Sequence, residues 1–173
     1  IEEGGEVFRN VRRCFKGQID EERFKVIWYS DGLRMVPKGE HEKMTYIGID
    51  IGRHEDFTVY VAVDSDGELV GYERFTKVNF PLQKERLLAF LEHFPRRQVR
   101  MDSRGIGASF YEEMKSQGVY IQGLQLTNPV KNSLIHNLII KLDEGEIHGP
   151  YIPELVEELE AYSFRISAAG NVI

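Results

Sequence analysis

Apolar and polar positions alternate along the first half of this chain with the two-residue period of strands. Phe24-Lys25-Val26-Ile27-Trp28-Tyr29 and Leu33-Arg34-Met35-Val36 flank Ser30-Asp31-Gly32, which reads as a strand pair around a turn. Tyr46-Ile47-Gly48-Ile49-Asp50-Ile51-Gly52 is a short apolar run with one acid near its end. Phe57-Thr58-Val59-Tyr60-Val61-Ala62-Val63 follows at once. Asp64-Ser65-Asp66-Gly67 then gives a hairpin-turn signal, and residues 68–75 form a third run. Residues 44–75 therefore predict three antiparallel strands joined by tight turns.

Beyond residue 75 the period lengthens to that of helices. Pro81 stands near the first turn of a helix whose apolar face holds Leu82, Leu87, Leu88, Phe90, Leu91 and Phe94, and Pro95 ends it. Gln98-Val99-Arg100-Met101-Asp102 predicts a short strand carrying a second notable acid. Ser103-Arg104-Gly105-Ile106-Gly107 breaks it, and residues 108–115 predict a helix stopped by Gly118. Residues 119–126 alternate like a strand. Leu134, Ile135, Leu138, Ile139 and Leu142 recur at helical spacing within 130–142, and Gly145 follows as a cap. Residues 147–152 read as an edge-like segment, 153–162 as a helix, and 164–166 and 172–173 as strand fragments.

This order predicts an α/β fold: a mixed sheet of three antiparallel strands, then parallel strands, flanked by helices. In such a sheet the strands carrying Asp50 and Asp102 can be neighbours, which sets two carboxylates side by side. The polar, turn-rich stretch from Pro37 to Lys43 marks a boundary. Residues 1–42 are then an extension or arm laid on a main domain of residues 43–173.

A chain of 173 residues with 42% hydrophobic content supports one well-cored domain. The net charge of -6 does not advertise nucleic-acid binding by the chain as a whole. A carboxylate metal site is acidic by construction, however, and a local basic surface coexists with it. Cys14 is the single cysteine, which leaves no internal disulfide and no cysteine-based zinc site. The apolar runs are too short for a membrane span, and no signal peptide is visible. A soluble, intracellular setting is expected.

The candidate chemistry centres on the acids. A carboxylate in an apolar run is costly to bury alone, so Asp50 needs a partner, a metal ion or an open strand end. The same choice holds for Asp102. Asp56 is either a turn residue or an auxiliary ligand. His54 reads as solvated and Glu73 as a surface or edge acid, with a place beside the site as a neighbouring-strand carboxylate as its alternative. Arg104 lies where a loop enters a helix, either to meet phosphate or as part of a plain turn. Lys131 precedes a helix and faces either solvent or a DNA backbone. Arg96, Arg97 and Arg100 form a basic cluster between acids, suited to phosphate contacts that do not read sequence. Arg9, Arg12 and Arg13 read as a solvated face or, alternatively, as a phosphate-contacting patch. His41, His93, His136 and His148 lack metal-ligand spacing and read as structural.

The segments Gly48-Ile49-Asp50-Ile51-Gly52, Phe57-Thr58-Val59 and Arg100-Met101-Asp102-Ser103-Arg104-Gly105-Ile106-Gly107 resemble the ribonuclease H-like nucleases. The closer resemblance is to the C-terminal nuclease domain of the large terminase subunit of tailed bacteriophages. Gly5-Glu6-Val7-Phe8-Arg9-Asn10-Val11 resembles the segment that follows the family's packaging ATPase domain. Lys131-Asn132-Ser133-Leu134-Ile135-His136-Asn137-Leu138, Gly145-Glu146-Ile147 and residues 153–162 resemble its later helices.

The resemblance implies a metal-dependent endonuclease that cuts concatemeric double-stranded DNA when packaging begins and ends. Asp50 and Asp102 are its implied catalytic residues and metal ligands, with Asp56 as a further ligand, and a pair of Mg²⁺ or Mn²⁺ ions is implied. Arg100, Arg104 and Lys131 are the candidate DNA contacts. Implied partners are double-stranded DNA, the terminase ATPase domain, the small terminase subunit and the portal protein, with no membrane. The implied location is the cytoplasm of an infected bacterium, at the procapsid portal. No glycine-rich Lys-Ser/Thr phosphate loop occurs, so the ATPase is expected in a separate, preceding domain. The family's third acid follows the segment resembling Ser167-Ala168-Ala169-Gly170-Asn171, and this chain ends at Ile173 before any such run. The nuclease domain is therefore expected to be incomplete at its C-terminal end.

Two rival classes share this topology. Actin, heat-shock and sugar-kinase ATPases also open with a Gly-Ile-Asp-Ile-Gly-like strand. Against them, Arg53-His54-Glu55-Asp56 stands where small or hydroxyl residues are expected, and the chain is short for two lobes closing on a nucleotide. Junction resolvases and transposases are alternatives within the nuclease class, and a non-catalytic docking fragment is a further reading.

Overall fold

The computed structural model describes residues 7–53 and 55–162. In chain order its elements are α1 (Val11–Cys14), β1 (Phe24–Tyr29), β2 (Gly32–Pro37), β3 (Thr45–Asp50), β4 (Thr58–Asp64), β5 (Leu69–Phe75), α2 (Phe80–Leu91), β6 (Arg97–Asp102), α3 (Ile106–Ser116), β7 (Gln122–Leu124), α4 (Asn128–Asp143) and α5 (Pro153–Ala161). The described residues fall into two compact units, one within residues 20–125 and one of residues 7–19 and 126–162. Among the described residues no helix is long and apolar enough to cross a membrane.

The larger unit is built on a seven-stranded sheet in the order β1-β2-β5-β4-β3-β6-β7. The strands β3, β4 and β5 form the expected antiparallel meander. Asp64 fixes its second turn: its Oδ1 accepts the N–H groups of Asp66 and Glu68, both at 3.0 Å, and Gly67 takes the left-handed φ of 83°. β6 then adds in parallel to β3, and β7 in parallel to β6, so the sheet is mixed as expected. The segment before residue 42 supplies two strands of this same sheet, because the β1–β2 hairpin pairs through β2 with β5.

The face of the sheet that carries Ile47, Ile49 and Tyr60 packs against α2 and α3. α2 starts at Asn79, whose side chain accepts the Leu82 N–H at 3.0 Å, with Pro81 in the first turn. Its Leu87, Phe90 and Leu91 are buried, and Phe94 follows. Gly71 on β5 admits these rings, since a Cβ there would lie 2.8 Å from Phe94 and 2.9 Å from Phe90. α3 covers the β6 end of the same face through buried Phe110 and Met114, and Lys84 pairs with Glu113 between the two helices. Burying each large apolar side chain here contributes about 1.5–3 kcal/mol.

Three elements depart from the sequence pattern. β7 is three residues long rather than eight, because as an edge strand it pairs only with β6 over Arg100–Asp102, and Tyr120 is left 85% exposed. Residues 147–152 form no strand; Gly149 makes a single bridge to Phe15. A short helix, α1, forms where the sequence shows only mixed apolar and basic residues. Within that smaller unit α1 is tied to α5 by Arg12, which donates to Glu160 at 2.9 Å, and the Phe8 ring lies 5.4 Å from that of Tyr162, tilted by 45°. Buried Cys14 donates to the Leu142 carbonyl at 3.2 Å, and burial pushes its thiol up. The strand fragments expected at 164–166 and 172–173 lie outside the described residues.

Candidate metal centre

The pairing register brings Asp50 and Asp102 together. β3 and β6 run parallel with Ile49 opposite Met101, and the next step in that register is Asp50 opposite Asp102. Both acids are the last residues of their strands. Adjacent strands are about 4.8 Å apart, so the two carboxylates start from neighbouring backbone positions at one end of the sheet. Side chains alternate between faces: Ile49 and Met101 enter the core, so Asp50 and Asp102 stand on the other face. Asp50 is exposed and the Asp102 side chain is 32% exposed.

Close-packed glycines support both strand ends. Beyond Asp50, Gly52 lies against the backbone that leads into β4, where a Cβ would lie 2.5 Å from the carbonyl oxygens of Asp56 and Phe57. The Gly52 N–H donates to Thr58 Oγ1 at 3.0 Å, which ties the turn to the start of β4. Beyond Asp102, Gly105 adopts φ 57° and ψ −132°, a conformation open to glycine. A Cβ on Gly107 would lie 2.3 Å from the Asp102 carbonyl oxygen, so α3 packs directly against the backbone that carries the acid. The Arg104 N–H donates to Asp102 Oδ1 at 3.0 Å and fixes the orientation of the carboxylate. The Arg104 guanidinium folds onto the same group, with Nε 3.3 Å from Oδ1 and Nη2 3.5 Å from Oδ2.

The remaining sequence candidates divide. Arg100 lies two residues before Asp102 on the same exposed face, and its Nε donates to Gln122 Oε1 at 3.0 Å. Asp56 is exposed in the loop after Asp50 and lines a cleft of about 490 Å³ with Gly52, Thr58, Lys77 and Phe80. Neither Asp50 nor Asp102 lines that cleft. Lys131 lies in the first turn of α4, in the smaller unit. Arg97 donates to the carbonyls of Leu91 and Phe94 at the end of α2, which removes it from the expected basic cluster.

Glu73 corrects the sequence reading of a surface or edge acid. It is fully buried on the face opposite Asp50, because Asp50 pairs with Val59 and Val59 with Arg74, one residue out of step. Arg34 Nε donates to it at 2.7 Å and the Tyr29 hydroxyl at 2.9 Å. Burial and the neighbouring Glu73 push the Tyr29 hydroxyl up to about 12, so it stays a donor. His54 lies outside the described residues. Sequence reasoning missed Gly52 and Gly107 as supports, and their signal was a glycine two residues after Asp50 and another five residues after Asp102.

Among the described residues no group of three or more acidic, histidine or cysteine side chains could hold a metal ion. The donor chemistry of the Asp50–Asp102 pair nonetheless fits a hard divalent cation. Mg²⁺ is commonly held by one or two carboxylates, keeping waters and substrate phosphate as its other ligands. Two solvent-reachable carboxylates on adjacent strand ends meet that need.

No family model matches the chain. It is 30% identical over 145 residues to the large terminase subunit of Thermus virus P23-45, which covers 82% of this chain and 30% of that protein. The large terminase subunit of Thermus phage G20c is 29% identical over the same length, with the same shares. The chain thus spans about 30% of the length of the curated relatives it matches. Among solved structures, the large terminase nuclease of thermophilic phage G20c superposes with a TM-score of 0.81 at 23% identity, covering 98% of this chain and 87% of that one. Its magnesium-bound form gives 0.81 at 24% identity, covering 98% and 86%. Its cobalt-bound form gives 0.80 at 24% identity, with the same coverage. In sequence the chain is thus a relative of phage large terminase subunits, and in fold it belongs with their nuclease domains.

Proposed function

We propose that this chain is the divalent-metal-dependent endonuclease domain of a DNA-packaging terminase. The observation that carries the reading is the placement of Asp50 and Asp102, side by side at the ends of adjacent parallel strands and open to solvent. The metal-bound forms of the structurally similar G20c nuclease support it. Asp50 and Asp102 are the proposed ligands of Mg²⁺ or Mn²⁺ in a two-ion site. Such ions, when bound, supply an activated water and charge stabilisation for phosphodiester hydrolysis.

The chain's own residues do the rest. The Arg104 N–H holds the Asp102 carboxylate in one orientation. Gly52 and Gly107 let the turns pack closely enough to fix both strand ends. Arg100, steadied by Gln122, presents a cation beside the acids for the DNA backbone, and Lys131 is a second proposed backbone contact. Asp56 is the proposed auxiliary ligand. Phosphate contacts of this kind orient DNA without reading its sequence.

In the full protein the proposed substrate is concatemeric double-stranded DNA, cut as packaging starts and ends. A preceding ATPase domain, which residues 1–42 follow as an extension, the small subunit and the portal are the proposed partners, and the procapsid portal in the infected cell is the proposed location. Supercoiled plasmid incubated with Mg²⁺ or Mn²⁺, with and without EDTA, tests the activity. Metal-dependent nicking and linearisation of plasmids of unrelated sequence is the expected result. Cleavage that survives EDTA contradicts the reading.

A further inference from the structure

The guanidinium of Arg104 makes only long contacts to its carboxylate. Charge-assisted N–H···O bonds are about 2.7–2.9 Å long. Arg34 meets that standard on buried Glu73 at 2.7 Å. Arg104 instead sits 3.3 and 3.5 Å from the two Asp102 oxygens, with 44% of its side chain exposed. The spacing explains the stretch, since the two residues are only two apart and the backbone N–H of Arg104 already holds Oδ1 at 3.0 Å. The carboxylate is thus fixed by a backbone bond and only capped by the guanidinium. The two contacts are separable: the cap can leave without loss of the bond that orients the acid.

We infer that Arg104 is an exchangeable cap: it covers Asp102 in the metal-free protein, gives way when a divalent cation binds, and then contacts a DNA phosphate. The inference rests on the metal-ligand reading of Asp102. A hard cation takes carboxylate oxygens at about 2.0–2.1 Å, so it and a guanidinium lying across both oxygens compete for the same lone pairs. Two positive charges that close also repel. Once displaced, an arginine one residue before Gly105 has both the reach and the planar fork to grip a phosphate beside the acids. Arg104 is a positioning residue for Asp102 in the first state and a backbone contact in the second.

The inference predicts opposite effects on two ligands. Mn²⁺ binding, followed by the electron paramagnetic resonance signal of free Mn²⁺ at up to millimolar concentration, is expected to be about two- to fivefold tighter in Arg104→Ala, the scale of an exposed ion pair removed. Affinity for a DNA duplex, measured at saturating Mn²⁺ in an Asp50→Asn background to prevent cleavage, is expected to fall several-fold in Arg104→Ala, with the salt slope reduced by about one. Arg104→Lys, which keeps the charge and loses the fork, is expected to bind DNA more weakly than wild type and more tightly than Arg104→Ala. An unchanged thermal midpoint shows that the loop still folds.

Equal or weaker Mn²⁺ affinity in Arg104→Ala overturns the exchange. So does unchanged DNA affinity. Wild type and Asp102→Asn that bind Mn²⁺ equally well, or not at all, overturn the metal reading of Asp102 and the exchange with it. That result is distinct from an Arg104 failure in a wild type that binds Mn²⁺ through Asp102.

Discussion

At the residue scale, the site depends on what is missing as much as on what is present. Gly107 has no side chain at a point where a Cβ would sit 2.3 Å from the Asp102 carbonyl oxygen, far inside any permitted contact. The clash is with backbone, so no side-chain rotation relieves it. Gly107→Ala must therefore push α3 away from the end of β6 or shift Asp102 itself. The expected cost is about 1–3 kcal/mol of stability, as for other overpacked positions. Urea denaturation measures the first effect. Metal-dependent cleavage measured below the unfolding transition is expected to fall more than the small unfolded fraction explains. Gly105→Ala, at φ 57° with nothing near its Cβ, isolates backbone strain from crowding.

At the element scale, the buried Arg34–Glu73 pair joins β2 to β5, receives Tyr29 from β1, and reaches α2 through Arg34 Nη2 on the Arg86 carbonyl at 2.9 Å. Breaking it from one side strands the other charge, so Arg34→Met is expected to cost about 3–5 kcal/mol. Burial raises the Glu73 pKa above the ordinary 4.5, outweighing the lowering by Arg34, by the Tyr29 hydrogen bond and by Arg86. Between 4.5 and the folded-state value, the folded chain holds a proton that the unfolded chain has released. Glu73 therefore contributes most stability below 4.5, and that contribution is lost as pH rises through the window. The stability of wild type relative to Glu73→Gln, followed by urea titration at a series of pH values, should decline as pH rises from 4.5 and then level off. A rising difference contradicts the assignment.

These elements also show what the sequence made legible. The meander of β3 to β5 could be read because strict alternation and an Asp-Ser-Asp-Gly turn are local signals. The neighbourhood of Asp50 and Asp102 was legible as a possibility, since a meander followed by helix and strand units allows β6 to lie beside β3. Glu73 was misread because alternation tells which residues share a face, and here the charged member of the run faces inward. Only its partners, 39 and 44 residues earlier in the chain, make that tolerable. β7 was overextended because an edge strand ends where its neighbour stops pairing, a non-local fact. The same limit hid Arg97, which pattern grouped with Arg96 and Arg100 but which caps α2.

At the scale of the whole molecule, a chain with net charge -6 is proposed to act on a polyanion. Bulk electrostatics oppose that encounter, so binding must come from local cations and from divalent ions that offset the acids. Cleavage is accordingly expected to weaken steeply as monovalent salt rises from about 50 to 200 mM, and to proceed at similar rates on plasmids of unrelated sequence. The most direct test of the central claim is plasmid cleavage in Mn²⁺ by wild type, Asp50→Asn, Asp102→Asn and the double variant. If the two acids act as one metal-holding unit, each single variant loses at least about a thousandfold in rate, and the double variant loses little more than either. If either single variant cleaves within about tenfold of wild type at saturating Mn²⁺, the pair is not the catalytic centre and the proposed function fails with it.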